Sequence, residues 1–440
     1  MSAAFTSPVA EALAPDLLDR FQRYVRVNTQ SRRDRTQSPS TPGQLELAAM
    51  LVDELRAAGL GDAELDDNGY VMATLPATVE GAPVIGLIAH VDTVPDVSGD
   101  GVEPIVHRAY DGGVIELPRG GTRLDPATMP ALAGAVGHDV VTASGDTLLG
   151  ADDKAGVAES MSVVAYLAAH PELPRPTLRV GFTPDEEIGE GATLFDIARF
   201  GAICAYTLDG SALGELQDET FTGSEATLTI HGVDVHPGWG RGKLVNAARL
   251  AARVIAALPA DTLAPETTSD REGFIHPFEI QASAERAVVR AIVRDFDDDK
   301  LAEHAALLRR TAEDAVAAAP GATLEFDLRP QYPNMLRHLE AFPGVGDAAE
   351  RALRAEGIEP VRTPIRGGTD GSRLSAMGLP TPNLFTGGHE YHSVREWASL
   401  HEMAAAAATL VRLADLFSQP DAGDLVNSRS AQGAARGIRS

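Results

Sequence analysis

Residues 83–92 read PVIGLIAHVD: a nearly continuous apolar run from Val84 to Ala89, closed by His90-Val91-Asp92. A run this short and this apolar is the pattern of a strand buried on both faces, as in a sheet covered by helices on each side. In an extended chain, positions two apart point the same way, so Asp92 can orient the ring of His90. Taken alone, the same triplet reads equally well as a surface histidine at a strand end. Outward from this strand the pattern alternates. Leu178 to Phe182 and Ala202 to Leu208 read as two further buried strands. Gln44 to Leu60, with Leu47, Leu51 and Leu55 on one side, reads as an amphipathic helix, and Ala155 to Ala169 as another. Such alternation predicts an α/β domain with a mainly parallel central sheet.

Ligands of α/β sheets gather at the carboxyl ends of the strands, and there this chain places acids and histidines. Asp152-Asp153 stands just before the Ala155 helix, where two acids also make an ordinary helix cap. Asp185-Glu186-Glu187 follows the Leu178 strand; three successive acids repel one another unless something positive compensates, although a solvated acidic loop is the simpler alternative. Asp209 closes the Ala202 strand, and His389-Glu390-Tyr391-His392 follows a short strand at Asn383 to Phe385. Any one of these is unremarkable. Together, two histidines and three carboxylates suit two zinc ions that share one carboxylate, with a neighbouring acid free to act as general base. Neither a His-Glu-x-x-His helix motif nor a Gly-x-Ser-x-Gly nucleophile turn occurs.

From about residue 221 the period changes. Ala226, Leu228 and Ile230 alternate with polar residues, Leu244 to Leu258 is helical, Phe278 to Ala282 and Ala287 to Val293 are strand-like, Lys300 to Ala318 is an Ala-rich helix, and Ala322 to Leu328 is a strand again. The order β-α-β-β-α-β predicts a ferredoxin-like insert over 221–333, leaving 1–220 and 334–417 as one discontinuous domain. Residues 1–15 read as a loose leader, and 418–440, rich in Gly, Ser, Ala and Asp, as a disordered tail.

With 440 residues, 63 acidic and 37 basic, the chain carries a formal charge of -26. That balance argues against nucleic acid or an anionic membrane surface as a partner. Cys204 is the only cysteine, which excludes an internal disulfide and a polycysteine zinc site. The N-terminus does not read as a signal peptide, and apolar runs such as Met403 to Val411 fall far short of the ~20 residues that span a bilayer, so the cytoplasm is the expected compartment.

Four stretches, LLGADDKAG (148–156), FTPDEEIG (182–189), PIRGGTDG (364–371) and LPTPNLFTGG (379–388), resemble the dizinc exopeptidases of the aminoacylase, carboxypeptidase G and succinyl-diaminopimelate desuccinylase family, and the resemblance runs from about Leu17 to Phe417. It implies a zinc-peptidase-like catalytic domain, with 221–333 as a lid and dimerisation domain. His90, Asp152 and Asp209 would hold one Zn2+ and Asp152, Glu187 and His392 the other, with Co2+ or Mn2+ able to substitute. Glu186 would be the general base and Asp92 the orienting partner of His90, and the bond between Asp152 and Asp153 would be cis. His236 would stabilise the oxyanion in the partner subunit of a homodimer. Arg294 and Arg366 would clamp a substrate carboxylate, a role that suits the bidentate guanidinium, with Asn246 as a further polar contact; a strand-edge ion pair is the plainer reading of Arg294. The activity implied is removal of the N-terminal residue from short peptides, tripeptides foremost. A dipeptidase, a carboxypeptidase or an N-acyl amino acid hydrolase is the alternative within the family, and a non-catalytic peptide-binding protein the alternative outside it. The charged pair His389-Glu390 beside His392 departs from the family pattern.

Overall fold

A computed structural model describes residues 3–420 together with Ala422 and Val426. The expectation for the tail therefore falls, beyond Pro420, almost wholly outside the described residues. The chain divides into two compact units, one of Met1–Asp218, Met335–Thr363 and Thr369–Ser440, the other of Glu219–Asn334 and Pro364–Gly368. The short return Pro364–Gly368 carries Arg366 into the second unit.

The first unit is built on an eight-stranded mixed sheet. Its strand order is Glu64–Leu65, Val71–Leu75, Thr177–Thr183, Val84–His90, Cys204–Gly210, Asn383–Phe385, Glu215–Gln217, Val361–Arg362. The four strands in its middle, from Thr177–Thr183 to Asn383–Phe385, run parallel. Val84–His90 lies between two parallel neighbours and is buried over almost its whole length, which is why its sequence is apolar without alternation. The helix Ala151–Ala169 lies against this sheet and against the helices Pro8–Tyr24 and Leu400–Phe417. Its Gly156 is required there, because a Cβ at that position would meet the carbonyl oxygen of Leu208 at 2.0 Å.

Two stretches differ from expectation. Much of the leader is helical: Ser7 caps a helix over Pro8–Tyr24 by accepting a bond from the amide of Ala10, and Ala10, Leu13, Leu17 and Phe21 are buried in the main core. Its polar residues Asp16, Asp19, Arg20 and Arg23 fall on the other side of the same helix, so the amphipathic period was present but diluted by Pro8 and Pro15. Between Thr93 and Leu149, where the sequence carries no long period, short elements build a shelf. Strands Ile105–His107 and Val140–Thr142 join Trp397–Ser399 and Gly388–His389 in a four-stranded sheet over a cluster of Tyr110, Ile115, Leu124, Leu132 and Trp397.

The second unit has its own core. Strands Phe274–Ala282, Arg286–Asp295, Thr222–His231 and Thr323–Tyr332 form an antiparallel sheet in that spatial order, with helices Ala247–Ala257 and Asp298–Ala317 packed on it. Leu228, Ile230, Val289 and Val293 alternate inward along the two central strands, and Leu250, Val254 and Leu308 meet them from the helices. The chain order of these elements is β-α-β-β-α-β apart from a short 3-10 turn at Pro237–Trp239 and a four-residue helix at Ala260–Leu263. Among the described residues no helix is long and apolar enough to cross a membrane.

Candidate metal centre

The carboxyl ends of the central parallel strands deliver the acids and histidines to one place in the first unit. Val84–His90 ends on His90, Cys204–Gly210 carries Asp209 as its second-last residue, and Thr177–Thr183 leads into the short turn Glu186–Ile188. Asp152 opens the helix Ala151–Ala169 and Asp153 follows it; both have non-helical backbone angles, and the peptide bond between them is cis.

Asp152 is the hub. Nε2 of His90 lies 2.9 Å from its Oδ1, and Nε2 of His392 lies 3.1 Å from its Oδ2. Asp209 approaches the same nitrogen of His90 at 3.6 Å, and Glu187 approaches that of His392 at 2.9 Å. The donor atoms of His90, Asp152 and Asp209 all lie within 4.8 Å of one another, as do those of Asp152, Glu187 and His392. The two groups share Asp152 alone.

This donor set fits a pair of divalent cations. Two imidazoles and three carboxylates would supply three side chains to each cation, with the carboxylate of Asp152 common to both groups. The electrostatics agree. Burial pushes the carboxyl of Glu186 well above the usual range, Glu187 to about 7 and Asp209 to about 6. So many carboxyls cannot all stay ionised in one buried place without added positive charge. The histidines show the same need: burial lowers their basicity, but the bonds from Asp152 and Asp209 carry His90 well above its ordinary value, and those from Asp152 and Glu187 carry His392 to about 11.

Other groups set this geometry. Asp92, wholly buried, accepts the backbone amides of Glu186 and Glu187 at 2.9 and 3.2 Å. Its backbone oxygen lies 3.1 Å from Nδ1 of His90, nearer than its carboxylate at 3.4 Å. Of the three successive acids only two face the centre. Asp185, at φ 61°, turns the other way and accepts bonds from the Ser40 amide and from Gln44. The charges that face Glu186 are those of His90, Asp209, Asp370 and Glu187.

Three buried residues here escaped the sequence reading. Glu396 accepts the backbone amides of Leu149, Gly150 and Asp152. Asp370 accepts the hydroxyl of Thr183 at 2.6 Å. Lys154 donates to the carbonyl of Val27 at 2.8 Å, and burial lowers its pKa to about 7. Lys154 and Asp370 lie inside the quoted motifs, so their signal was present. Glu396, in SVREWASL, has none.

The remaining candidates lie in the second unit. His236 is exposed on a short turn, accepts the amide of Gly238 and packs its ring, tilted by 44°, against Trp239, with ring centres 4.4 Å apart. Asn246 caps the helix Ala247–Ala257 through the amide of Arg249. Arg294 is buried; it bonds to the carbonyl of Ser224 and the side chain of Gln331 and lies over the ring of Tyr332. Arg366 donates Nη2 to Thr268 at 2.8 Å between the faces of Phe221 and Phe274, and its buried Nη1 has no partner among the described residues.

The sequence profile of peptidase family M20/M25/M40 matches residues 148–416. Peptidase T of Bacillus velezensis is 46% identical over 406 residues, covering 92% of this chain and 99% of that protein. Peptidase T of Geobacillus kaustophilus is 47% identical over 92% of this chain and 98% of its own. Among solved structures, aminopeptidase PepT from Bacillus cereus shares the fold with a TM-score of 0.69 at 24% identity, covering 92% of this chain and 99% of that one. A tripeptidase from Staphylococcus aureus does so with a TM-score of 0.72 at 21% identity, covering 92% and 98%.

Proposed function

The chain belongs to peptidase family M20/M25/M40, and from that membership we propose that it is a two-metal aminopeptidase that removes the N-terminal residue of short peptides, tripeptides foremost. The observation that carries this reading is the pair of imidazole nitrogens facing opposite oxygens of Asp152. His90, Asp152 and Asp209 would hold one Zn2+, and Asp152, Glu187 and His392 the other. When bound, the two cations supply Lewis acidity and bring the pKa of water toward ~7.

The chain's own groups do the rest. Glu186 takes a proton from the attacking water on its carboxylate and delivers it to the leaving amine. Asp92 supports that base by holding the amide of Glu186, and it fixes the ring of His90 through the contact at Nδ1. His236 stabilises the oxyanion in a homodimer, as the family resemblance implies. Arg366, with one guanidinium nitrogen still unpaired in a buried setting, takes the peptide's C-terminal carboxylate, assisted by Arg294 and Asn246. An arginine that fixes the carboxylate at a set distance from the scissile bond selects for length, and this is the physical basis for preferring tripeptides. With its single buried cysteine, the protein suits the reducing cytoplasm, where we place it.

Glu186→Ala tests the assignment. The variant is expected to bind both cations normally and to lose roughly 10²–10⁴-fold in kcat. Near-normal turnover refutes the base. A series of free and N-acetylated di-, tri- and tetrapeptides tests the substrate class; an acetylated tripeptide cleaved as fast as the free one refutes an aminopeptidase.

A further inference from the structure

The backbone from Leu149 to Asp153 is held in an unusual way. Gly150 takes the N-cap position at φ 84° and has no side chain to cap with, and Asp152 (φ −84°, ψ 104°) and Asp153 (φ −120°, ψ 34°) depart from the helix they open. The first amides of a helix need acceptors from outside it, and these are normally local. Here the amides of Leu149 and Gly150, just ahead of the helix, and of Asp152, its second residue, find their acceptor 244–247 residues away. Oε2 of Glu396 accepts the amides of Leu149 and Gly150 at 2.7 Å each, and Oε1 accepts that of Asp152 at 3.1 Å. Glu396 is 1% exposed. It stands four residues beyond His392, immediately before the strand Trp397–Ser399, which pairs with Val140–Thr142 of the shelf.

We propose that Glu396 is the positioning residue of the metal centre: its carboxylate fixes the backbone at Asp152 so that the two oxygens of that side chain face His90 and His392 at once. The inference rests on the two-metal reading above. A shared carboxylate is demanding, because a small rotation of its backbone withdraws one oxygen from one cation while the other stays in place. The segment that brings His392 to the centre therefore also carries the group that orients the ligand His392 faces. Three amide donors occupy three of the roughly four acceptor sites of a carboxylate. A carboxamide at this position would set an N–H2 against at least one of those N–H groups and could not satisfy all three.

Glu396→Gln, compared with the wild type, tests this. Zn2+ affinities are measured by competition with a chromophoric chelator, and the Co2+-loaded proteins are compared by visible absorption and electron paramagnetic resonance. The wild type is expected to bind two cations with the magnetic coupling of a shared carboxylate. The Gln variant is expected to keep its far-ultraviolet circular dichroism, to bind at least one cation roughly 10–100-fold more weakly, and to lose the coupling; Glu396→Asp recovers part of both. A purely structural role would lower the melting temperature and leave the cobalt signature unchanged, and that result overturns the proposal. If the Gln variant does not fold, the Asp variant decides: weakened binding supports the positioning role, and wild-type affinities with intact coupling overturn it. A wild-type protein that binds fewer than two cations overturns the two-metal function itself, an outcome read before any variant is made.

Discussion

Asp92 is placed so that one side chain serves two neighbours: its carboxylate oxygens accept the amides of Glu186 and Glu187, and its backbone oxygen meets the ring of His90. In Asp92→Asn one oxygen becomes an N–H2 that opposes one of those amides. We expect a fall in kcat together with metal affinity weakened roughly 10–100-fold, read by steady-state kinetics and chelator competition. Normal values for both would show that Asp92 is dispensable. Asp92 was legible in the sequence because it sits two residues from a histidine at the end of an apolar strand. His90, Asp152, Glu187 and Asp209 were legible for a like reason, since each stands near the end of a strand or the start of a helix, whereas His392 lies in a loop beyond the strand Gly388–His389 and drew notice only through the set as a whole. Glu396 was not. Its work is to accept backbone amides from the far side of the chain, and any sequence can supply those amides, so no pattern marks their partner.

Elements were read best where a single period ran for a dozen residues, and least well where short pieces are stabilised by distant pairing. The shelf of residues 93–149 is of the second kind: its strands are two or three residues long, and Val140–Thr142 takes its place between Ile105–His107 and the distant Trp397–Ser399. The Pro8–Tyr24 helix, integral to the core, was missed for another reason: Pro8 and Pro15 dilute its period, so its first half reads as a loose leader. Phe21→Ala is expected to cost ~3–5 kcal/mol, measured by urea unfolding; a change within 0.5 kcal/mol would mean that the helix contributes little. The junction of the shelf, the last helix and the N-terminal segment also senses acid. The rings of His138 and His401 stack with centres 4.7 Å apart, and His401 stacks on Phe5 at 4.3 Å. Nδ1 of His401 accepts the amide of Asp139, and Nε2 lies 3.2 Å from the carbonyl of Ala3, which fixes a neutral ring with its proton on Nε2. Burial lowers the pKa of both histidines, and each ring lies beside another imidazole or a backbone donor. The unfolded chain therefore binds more protons below its ordinary pKa of ~6.5, and this contribution to stability is present above that pH and lost as the pH falls toward the lowered folded values. Denaturant midpoints between pH 7 and 5 are expected to fall less steeply in the His138→Asn/His401→Asn double variant than in the wild type; equal slopes would exclude the pair.

At the scale of the whole chain, the division into a discontinuous α/β unit and an inserted antiparallel unit was legible because the hydrophobic period switches from buried runs to alternation near residue 221 and back after 333. The return of Pro364–Gly368 to the second unit was not, since five residues carry no period; backbone bonds tie it there, with Phe221 donating to Ile365 and Ile365 to Glu219. Cys204 opens the strand Cys204–Gly210 of the central sheet, opposite Ile85 of a parallel neighbour; it is fully buried, and burial raises its thiol far above the ordinary range. A disulfide reagent in solution can reach that sulfur only when the sheet comes apart. The native protein is thus expected to resist modification for hours and to take up one equivalent at once in concentrated guanidinium. Added Zn2+ is expected to slow the native reaction further, since a cation that binds the folded form alone suppresses its opening. Rapid labelling without denaturant would contradict this. The chain thereby carries its own clock for global opening: a solitary chromogenic handle, needing no engineered probe, by which the grip of the cations can be timed without a substrate.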